Sequence, residues 1–130
     1  MIVLDASAAI ELLLHTPAGG RIAARISDVG SIHCPHLIDV EIAQTLRRLT
    51  ALGEVSHAQA HEALSNWRSL DVQRYPHFPF LERAWALREN FSVYDAVYVA
   101  LGEILEATIV TGDRKLTKAP GTSAKFEVFA

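Results

Sequence analysis

The feature that most constrains this chain is its first apolar segment, Ile2–Leu4, which is followed at once by a carboxylate, Asp5. The segment has no alternation of polar and apolar residues, so we expect a strand that is buried on both faces, as in a parallel sheet covered by helices. A helical pattern follows from Ser7 to about His15. Ligand sites in open parallel sheets lie beyond the carboxyl ends of the strands. Asp5 occupies such a position, and other functional residues are expected at the same edge.

Short apolar segments alternate with helical patterns along the rest of the chain. Further strands are expected at four places, Ser31–Cys34, Asp71–Tyr75, Ala107–Thr111 and Lys125–Phe129. Helices are expected from Gly19 to Gly30, from Leu37 to Leu52, from Ser56 onward, from about Pro79 to Glu89 and from Ser92 to Glu106. This alternation is typical of βαβ units. We therefore predict an α/β fold in which residues 1–130 form a single domain, with a central parallel sheet of about five strands flanked by helices on both faces.

The composition limits the classes of protein that fit this chain. Its 130 residues are 50% hydrophobic and 21% charged, which is enough for a buried core and excludes a disordered protein. The net charge of -3 gives no overall basic surface for duplex nucleic acid, but a local metal site can still hold a nucleic acid. The only cysteine, Cys34, excludes an internal disulfide and suits the reducing cytoplasm. Asp5 interrupts the first apolar run, so we expect neither a signal peptide nor a membrane span.

Two carboxylates stand directly after predicted strands. Asp5 follows the first strand, and Asp113 follows the fourth in the sequence Thr111-Gly112-Asp113. Each of them alone is compatible with a solvated loop residue. Because functional groups gather at the carboxyl ends of parallel strands, we expect both to lie at that edge. Ser7 and Thr111 carry hydroxyls next to these acids and are placed to orient the carboxylates or a bound water.

Two more acids lie on predicted helices, and each has a structural alternative. Glu41 falls just beside the apolar stripe of its helix, where an ion pair with Arg48 would account for it. Asp95 comes three residues after Ser92, so the two form a capping box that stabilises a helix start by itself. The neighbours of Asp95 are nearly all apolar, however, and a carboxylate there must face a cap, a cation or a cleft. Asp39 is predicted to be a solvated acid in the first turn of its helix.

Four carboxylates that met at one sheet edge would repel one another. Like charges in one site raise some of the carboxyl pKa values unless a cation is bound. Oxygen ligands of this kind favour Mg²⁺ or Mn²⁺. Such an ion activates water and stabilises the charge that develops when a phosphodiester is cleaved. The residues alone thus predict a metal-dependent site for phosphoryl transfer or for phosphodiester cleavage, and they do not decide between the two.

The motifs, taken in order, resemble one known family. They are Ile2-Val3-Leu4-Asp5-Ala6-Ser7, Val40-Glu41, Tyr94-Asp95-Ala96-Val97-Tyr98-Val99-Ala100-Leu101 and Thr111-Gly112-Asp113-Arg114-Lys115-Leu116. Together they resemble a PIN domain, and more narrowly a VapC-type toxin ribonuclease of a type II toxin–antitoxin system, over essentially the whole chain. The resemblance implies an endoribonuclease with Mg²⁺ or Mn²⁺ as cofactor. It also implies four catalytic and metal-binding acids, which are Asp5, Glu41, Asp95 and Asp113.

The resemblance further implies partners and supporting residues. It implies an RNA substrate, a VapB-type antitoxin that covers the site, and a homodimer. The single cysteine and the lack of an apolar span favour a protein of the cytoplasm without membrane association. Ser7 matches a hydroxyl position near the metal. Because RNA needs cations beside the metal, Arg114, Lys115 and Arg48 are candidate RNA contacts. Arg114 is the strongest of the three because it adjoins Asp113.

Other functions remain open from the sequence. Asp5 is also suited to be the nucleophile of an aspartyl-phosphate phosphotransferase or phosphatase. Phosphatases of the haloacid-dehalogenase type carry a second Asp where this chain has Ser7, which argues against that class. A catalytically silent PIN-like binding module is a second alternative, although the four acids are intact. His57 and His61 share a helix face at a spacing that suits metal ligands, but no third ligand is evident nearby. The other four histidines lie at the ends of elements, so a histidine-based ribonuclease without metal is a weak alternative.

Overall fold

Five strands form one parallel sheet in the computed structural model, which describes residues 1–130. The strands are β1 (Ile2–Leu4), β2 (Ile32–Pro35), β3 (Gln73–Tyr75), β4 (Thr108–Thr111) and β5 (Phe126–Val128). Their order across the sheet is β3-β2-β1-β4-β5, and all four neighbouring pairs are parallel. The predicted α/β class and the five-stranded parallel sheet are confirmed.

Six α-helices connect and flank the strands. They are α1 (Ala6–Leu13), α2 (Pro17–Ser27), α3 (Leu37–Ala51), α4 (His57–Ser69), α5 (Leu81–Ala86) and α6 (Val93–Leu105), with 3₁₀-helices at Phe78–Phe80 and Arg114–Lys118. The second helix begins earlier than predicted, because the Thr16 hydroxyl accepts a hydrogen bond from the Gly19 N–H and Pro17 takes the first helical position. None of the helices combines the length and the apolar character that crossing a membrane requires.

Strand β1 is the buried centre of the sheet. Ile2, Val3 and Leu4 are each 0% exposed. Successive side chains of a strand point to opposite faces, so complete burial of all three shows that both faces of the sheet are covered. Complete burial of such a side chain contributes roughly 1.5–3 kcal/mol relative to exposure. The unbroken apolar run therefore anchors the residue that follows it, Asp5.

Helices α1 and α2 approach each other closely at Gly19. A Cβ atom on this residue would lie 2.0 Å from the carbonyl oxygen of Glu11, which is far inside the contact distance of real atoms. Only glycine fits at this crossing. The contact fixes the start of α2 against α1, and with it the position of Arg21, two residues further on.

The parallel pairing of β1 with β4 brings their carboxyl ends together. Leu4 is in register with Val110, and the Asp5 N–H donates a hydrogen bond of 2.9 Å to the Val110 carbonyl. Asp5 and Thr111 directly follow this pair of residues, so they are neighbours at one edge of the sheet.

Candidate active site

The carboxylate of Asp5 is held by three donors. Its Oδ1 accepts a hydrogen bond from the Ala6 N–H at 2.9 Å, and its Oδ2 accepts from the hydroxyls of Ser7 at 2.8 Å and Thr111 at 2.7 Å. Asp5 is only 7% exposed. An ionised carboxylate has about four acceptor positions, so roughly one position on Oδ1 is left for a further donor or a cation.

The turn after β4 is tied to the same group. The Gly112 N–H donates to Ser7 Oγ at 2.9 Å, and the Asp113 N–H donates to Thr111 Oγ1 at 3.0 Å. Asp113 in turn accepts from the Lys115 N–H at 2.9 Å and so begins the 3₁₀-helix. The two hydroxyls singled out in the sequence thus join the loop after β1 to the loop after β4.

Glu41 enters the site from α3 and is held from α6. The Tyr98 hydroxyl, on a side chain that is 1% exposed, donates a hydrogen bond of 2.6 Å to Glu41 Oε1. The alternative ion pair between Glu41 and Arg48 does not form. The three ion pairs of this molecule are Arg25–Glu127, Arg74–Asp39 and Arg83–Glu103. The sequence analysis did not identify Tyr98 as a partner of Glu41. A tyrosine in an otherwise apolar helix could have indicated this contact, because a buried tyrosine hydroxyl needs a hydrogen-bond partner.

Asp95 lies in the first turn of α6. The Ser92 hydroxyl caps this helix by accepting a hydrogen bond from the Asp95 N–H at 3.1 Å. Burial and then the neighbouring charge of Asp5 raise the pKa of the Asp95 carboxyl, although a side-chain hydrogen bond with Ser92 opposes them. Ser92 therefore caps the helix, while the half-buried carboxylate of Asp95 interacts electrostatically with the other acids.

The acids of the site act on one another's pKa. Burial raises the pKa of Asp5 above its ordinary value, and the charge of Asp113 adds to this while the hydrogen bonds oppose it. Burial also raises the pKa of Glu41, with further contributions from Asp5 and Asp95. None of the four acids belongs to an ion pair. Four elements thus bring uncompensated negative charge to one edge of the sheet, and this favours binding of a cation.

The oxygen donors of the site fit a hydrated divalent cation. No three His, Cys, Asp or Glu side chains already stand close enough together to hold one ion jointly. Mg²⁺ usually keeps several waters and binds a protein through one or two carboxylates, so such a closed cage is not required. The free acceptor position of Asp5 and the nearby carboxylates therefore have the chemistry that Mg²⁺ or Mn²⁺ prefers.

Asp39 is where the sequence prediction was incomplete. It is a first-turn acid with a side chain that is 40% exposed, as expected of a solvated residue, but its carboxylate also accepts hydrogen bonds from Trp67 Nε1 at 2.7 Å and from Arg74 at 2.8 and 3.0 Å. The helix-dipole argument considered only the residue's own helix. The partners come from α4 and β3, and they turn Asp39 into a structural link between three elements.

The predicted cations and histidines lie on the surface. Arg114 and Lys115 are exposed on the 3₁₀-helix that directly follows Asp113, and Arg48 is exposed on α3. Their contacts to RNA stay a prediction. His57 and His61 are exposed on α4.

Comparison with known proteins defines the family. The PIN domain profile matches residues 2–121. Ribonuclease VapC9 of Mycobacterium tuberculosis is 44% identical over 117 residues, which cover 90% of this chain and 89% of the relative. Ribonuclease VapC12 of the same organism is 40% identical over 130 residues and all of both chains. The crystal structure of VapBC2 from Rickettsia felis, bound to a promoter DNA fragment, has a TM-score of 0.72 at 13% identity over all of both chains.

The chain belongs to the PIN-domain family. Within that family, its curated relatives carry the name VapC ribonuclease, so the resemblance that the motifs indicated is confirmed. The likeness to VapBC2 from Rickettsia felis extends the agreement to the fold.

Proposed function

We propose that this protein is a Mg²⁺- or Mn²⁺-dependent endoribonuclease that acts as the toxin of a type II toxin–antitoxin pair. The observation that carries the proposal is the gathering of Asp5, Glu41, Asp95 and Asp113, whose charges act on one another without a paired cation. Similarity to VapC ribonucleases supports RNA as the substrate.

The chain's own residues prepare the site for the reaction. A bound Mg²⁺ or Mn²⁺ would supply a Lewis acid that activates water and stabilises the negative charge of phosphodiester cleavage. Asp5, fixed by Ser7 and Thr111, offers the free position of its carboxylate as a ligand. Tyr98 holds the Glu41 carboxylate in one orientation. These hydrogen bonds orient the ligands before metal and substrate arrive, as outer partners of metal sites do.

The geometry favours a ligand role for Asp5 over a nucleophile role. Both of its oxygens already accept hydrogen bonds, and the residue is 7% exposed. Nucleophilic attack on a phosphoryl donor needs an oxygen that is open to a bulky group. A small cation, in contrast, needs only one free lone pair. Incorporation of phosphate onto Asp5 from a small phosphodonor would nevertheless assign the protein to phosphotransfer.

The proposal includes partner proteins and a location. Likeness of fold to VapBC2 supports a VapB-type antitoxin as partner. Around α5, the exposed apolar side chains of Phe78, Leu81 and Trp85 support a homodimer, since water-exposed patches of this kind mark contact surfaces. The cytoplasm is the proposed location, because an RNA-cleaving toxin meets its substrate there.

The test is cleavage of RNA by the purified protein with Mg²⁺, with Mn²⁺ and in excess EDTA. We expect EDTA to abolish cleavage, and Asp5→Asn or Glu41→Gln to slow it by at least about a hundredfold, since each removes a ligand charge. Glu62→Gln is the matched control, because Glu62 is an exposed carboxyl on α4. Cleavage that persisted in excess EDTA would refute the metal requirement. Sequencing of 5′ ends of RNA cut in induced cells, beside Asp5→Asn, then identifies the substrate.

A further inference from the structure

An open cleft lined by cations lies between α2 and the 3₁₀-helix Arg114–Lys118. Its volume is about 470 Å³, and its lining consists of Arg21, Arg114, Thr117, Lys118, Val128 and Ala130. Three of these side chains carry a positive charge and none carries a negative one. The 3₁₀-helix begins directly after Asp113, so the cleft adjoins the candidate active site.

No side-chain carboxylate pairs with the cations of this cleft. Arg25, four residues after Arg21 on the same helix, is neutralised by Glu127 through hydrogen bonds of 2.9 to 3.1 Å. Arg21 has no side-chain partner and donates to a main-chain oxygen of Ala130, the last residue of the sequence, at 3.1 Å. Neither Arg114 nor Lys118 belongs to an ion pair. A chain with a net charge of -3 thus concentrates three cations that have no side-chain carboxylate partner beside its candidate acidic site.

A polyanionic substrate needs such a surface at this place. The four acids repel the phosphodiester backbone of RNA, and a single divalent ion neutralises at most two of their four charges. Arginine binds phosphate oxygens in a bidentate manner, and positively charged grooves follow the backbone of single strands. Arg21 is also held in place, because the glycine crossing at Gly19 fixes the start of α2.

We infer that the cleft of Arg21, Arg114 and Lys118 is a backbone-phosphate site for single-stranded RNA next to the scissile bond. The inference rests on the proposed ribonuclease function. RNA is favoured over a peptide segment of an antitoxin because only Val128 and Ala130 offer apolar surface, whereas a docked peptide helix needs an apolar face. Phosphate contacts carry no sequence information, so the site positions the strand and leaves the choice of sequence to other contacts.

The test measures binding apart from cleavage. Fluorescence anisotropy of labelled single-stranded RNA oligonucleotides is recorded in excess EDTA at several salt concentrations, for wild type, Arg21→Ala, Lys118→Ala and the double variant. We expect each single variant to weaken binding several-fold, equally for two unrelated sequences. The slope of log affinity against log salt should become shallower by roughly 0.7 for each phosphate that the variant no longer neutralises.

Lys125→Ala is the matched control. It removes the same charge from an exposed residue just before β5, at the opposite end of the strand from the cleft, and should leave binding and slope unchanged. Thermal unfolding of all variants checks that they remain folded. Unchanged RNA binding in the double variant would overturn the inference. So would a loss of antitoxin binding with intact RNA binding, which would assign the cleft to the peptide partner.

The two proposals fail in different ways. If the protein cleaves RNA but binds it independently of Arg21 and Lys118, only the proposed phosphate site is refuted. If the protein never cleaves RNA but needs both residues to bind it, the phosphate site is supported and the proposed ribonuclease function is refuted.

Discussion

Helix α3 carries two acids, two residues apart, that the fold uses in opposite ways. Asp39 is compensated by Arg74 and by the indole N–H of Trp67. Glu41 has no cation and accepts a hydrogen bond from Tyr98. Burial acts to raise the pKa of both, but the bonds from Arg74 and Trp67 lower the pKa of Asp39 overall, whereas that of Glu41 is raised. An acid with compensated charge supports the fold, and one left uncompensated in a cluster is a candidate for function.

The helical period accounts for this difference. Residues two apart on a helix are separated by about 200°, so Asp39 and Glu41 point to opposite sides of α3. On one side the partners come from α4 and β3, and on the other side from α6. The same helix therefore contributes to the packing of the domain with one face and to the acidic site with the other.

The largest expected effect is on stability and separates the two acids. Asp39→Ala should lower the free energy of unfolding by about 2 kcal/mol, because the buried indole N–H of Trp67 loses its acceptor. The ion pair with Arg74 adds little, since both side chains are partly exposed. Glu41→Gln should leave the metal-free protein at least as stable as wild type, because it removes a charge that its neighbours repel. Urea denaturation at neutral pH measures both.

Asp39→Asn is the control for this pair of variants. It keeps an oxygen that can accept from Trp67, so its loss of stability should be smaller than that of Asp39→Ala. Equal losses of stability in Glu41→Gln and Asp39→Ala would contradict the distinction and make Glu41 a structural residue.

A smaller effect is expected from the hydroxyl that positions Glu41. Tyr98→Phe should raise the Mg²⁺ concentration needed for half-maximal cleavage by about tenfold, as loss of an outer partner of a metal ligand typically does. The control is Tyr75→Phe, whose hydroxyl bonds His33 at 2.6 Å and none of the acids. The rate at saturating Mg²⁺ should fall less than the metal affinity. If both tyrosine variants changed the Mg²⁺ requirement alike, Tyr98 would have no special link to Glu41.

The strand ends of the site could be predicted from the sequence. Asp5 and Asp113 each follow an apolar strand, and parallel strands end at one edge, so the pattern of elements was enough to bring the two loops together. The structure adds the register of Leu4 with Val110, which makes Asp5 and Thr111 direct neighbours. No local pattern contained that register.

The partners of helical side chains could not be predicted in the same way. Periodicity assigns a residue to a face of its helix but does not say what lies opposite. Asp39 meets Trp67 and Arg74, which are 28 and 35 residues away, and Glu41 meets Tyr98 at a separation of 57. The prediction for Asp39 missed both partners because it considered one helix, and the role of Tyr98 was missed for the same reason.

The smallest expected effect concerns the pH dependence of stability without metal. Burial and the charge of Asp5 raise the pKa of Asp95 above its ordinary 3.8. The folded chain therefore binds this proton more tightly than the unfolded chain. The resulting stabilisation is complete below pH 3.8 and disappears as the pH rises through the raised pKa. Asp95→Asn has no carboxyl to ionise at this position. Its free energy of unfolding should therefore increase relative to that of wild type as the pH rises from acid to neutral.

Asp39 should show the opposite sign in the same molecule. Because its folded-state pKa is lowered from 3.8, its contribution is present above that value and disappears as the pH falls through the lowered pKa. Asp39→Asn should therefore be less stable than wild type at neutral pH, and the gap should close in acid. Thermal unfolding of metal-free protein across this range measures both variants. A loss of stability in Asp95→Asn at neutral pH would mean that its carboxylate serves the start of α6. Added Mg²⁺ gives a further check, since a ligand of the folded state should stabilise wild type more than Asp95→Asn.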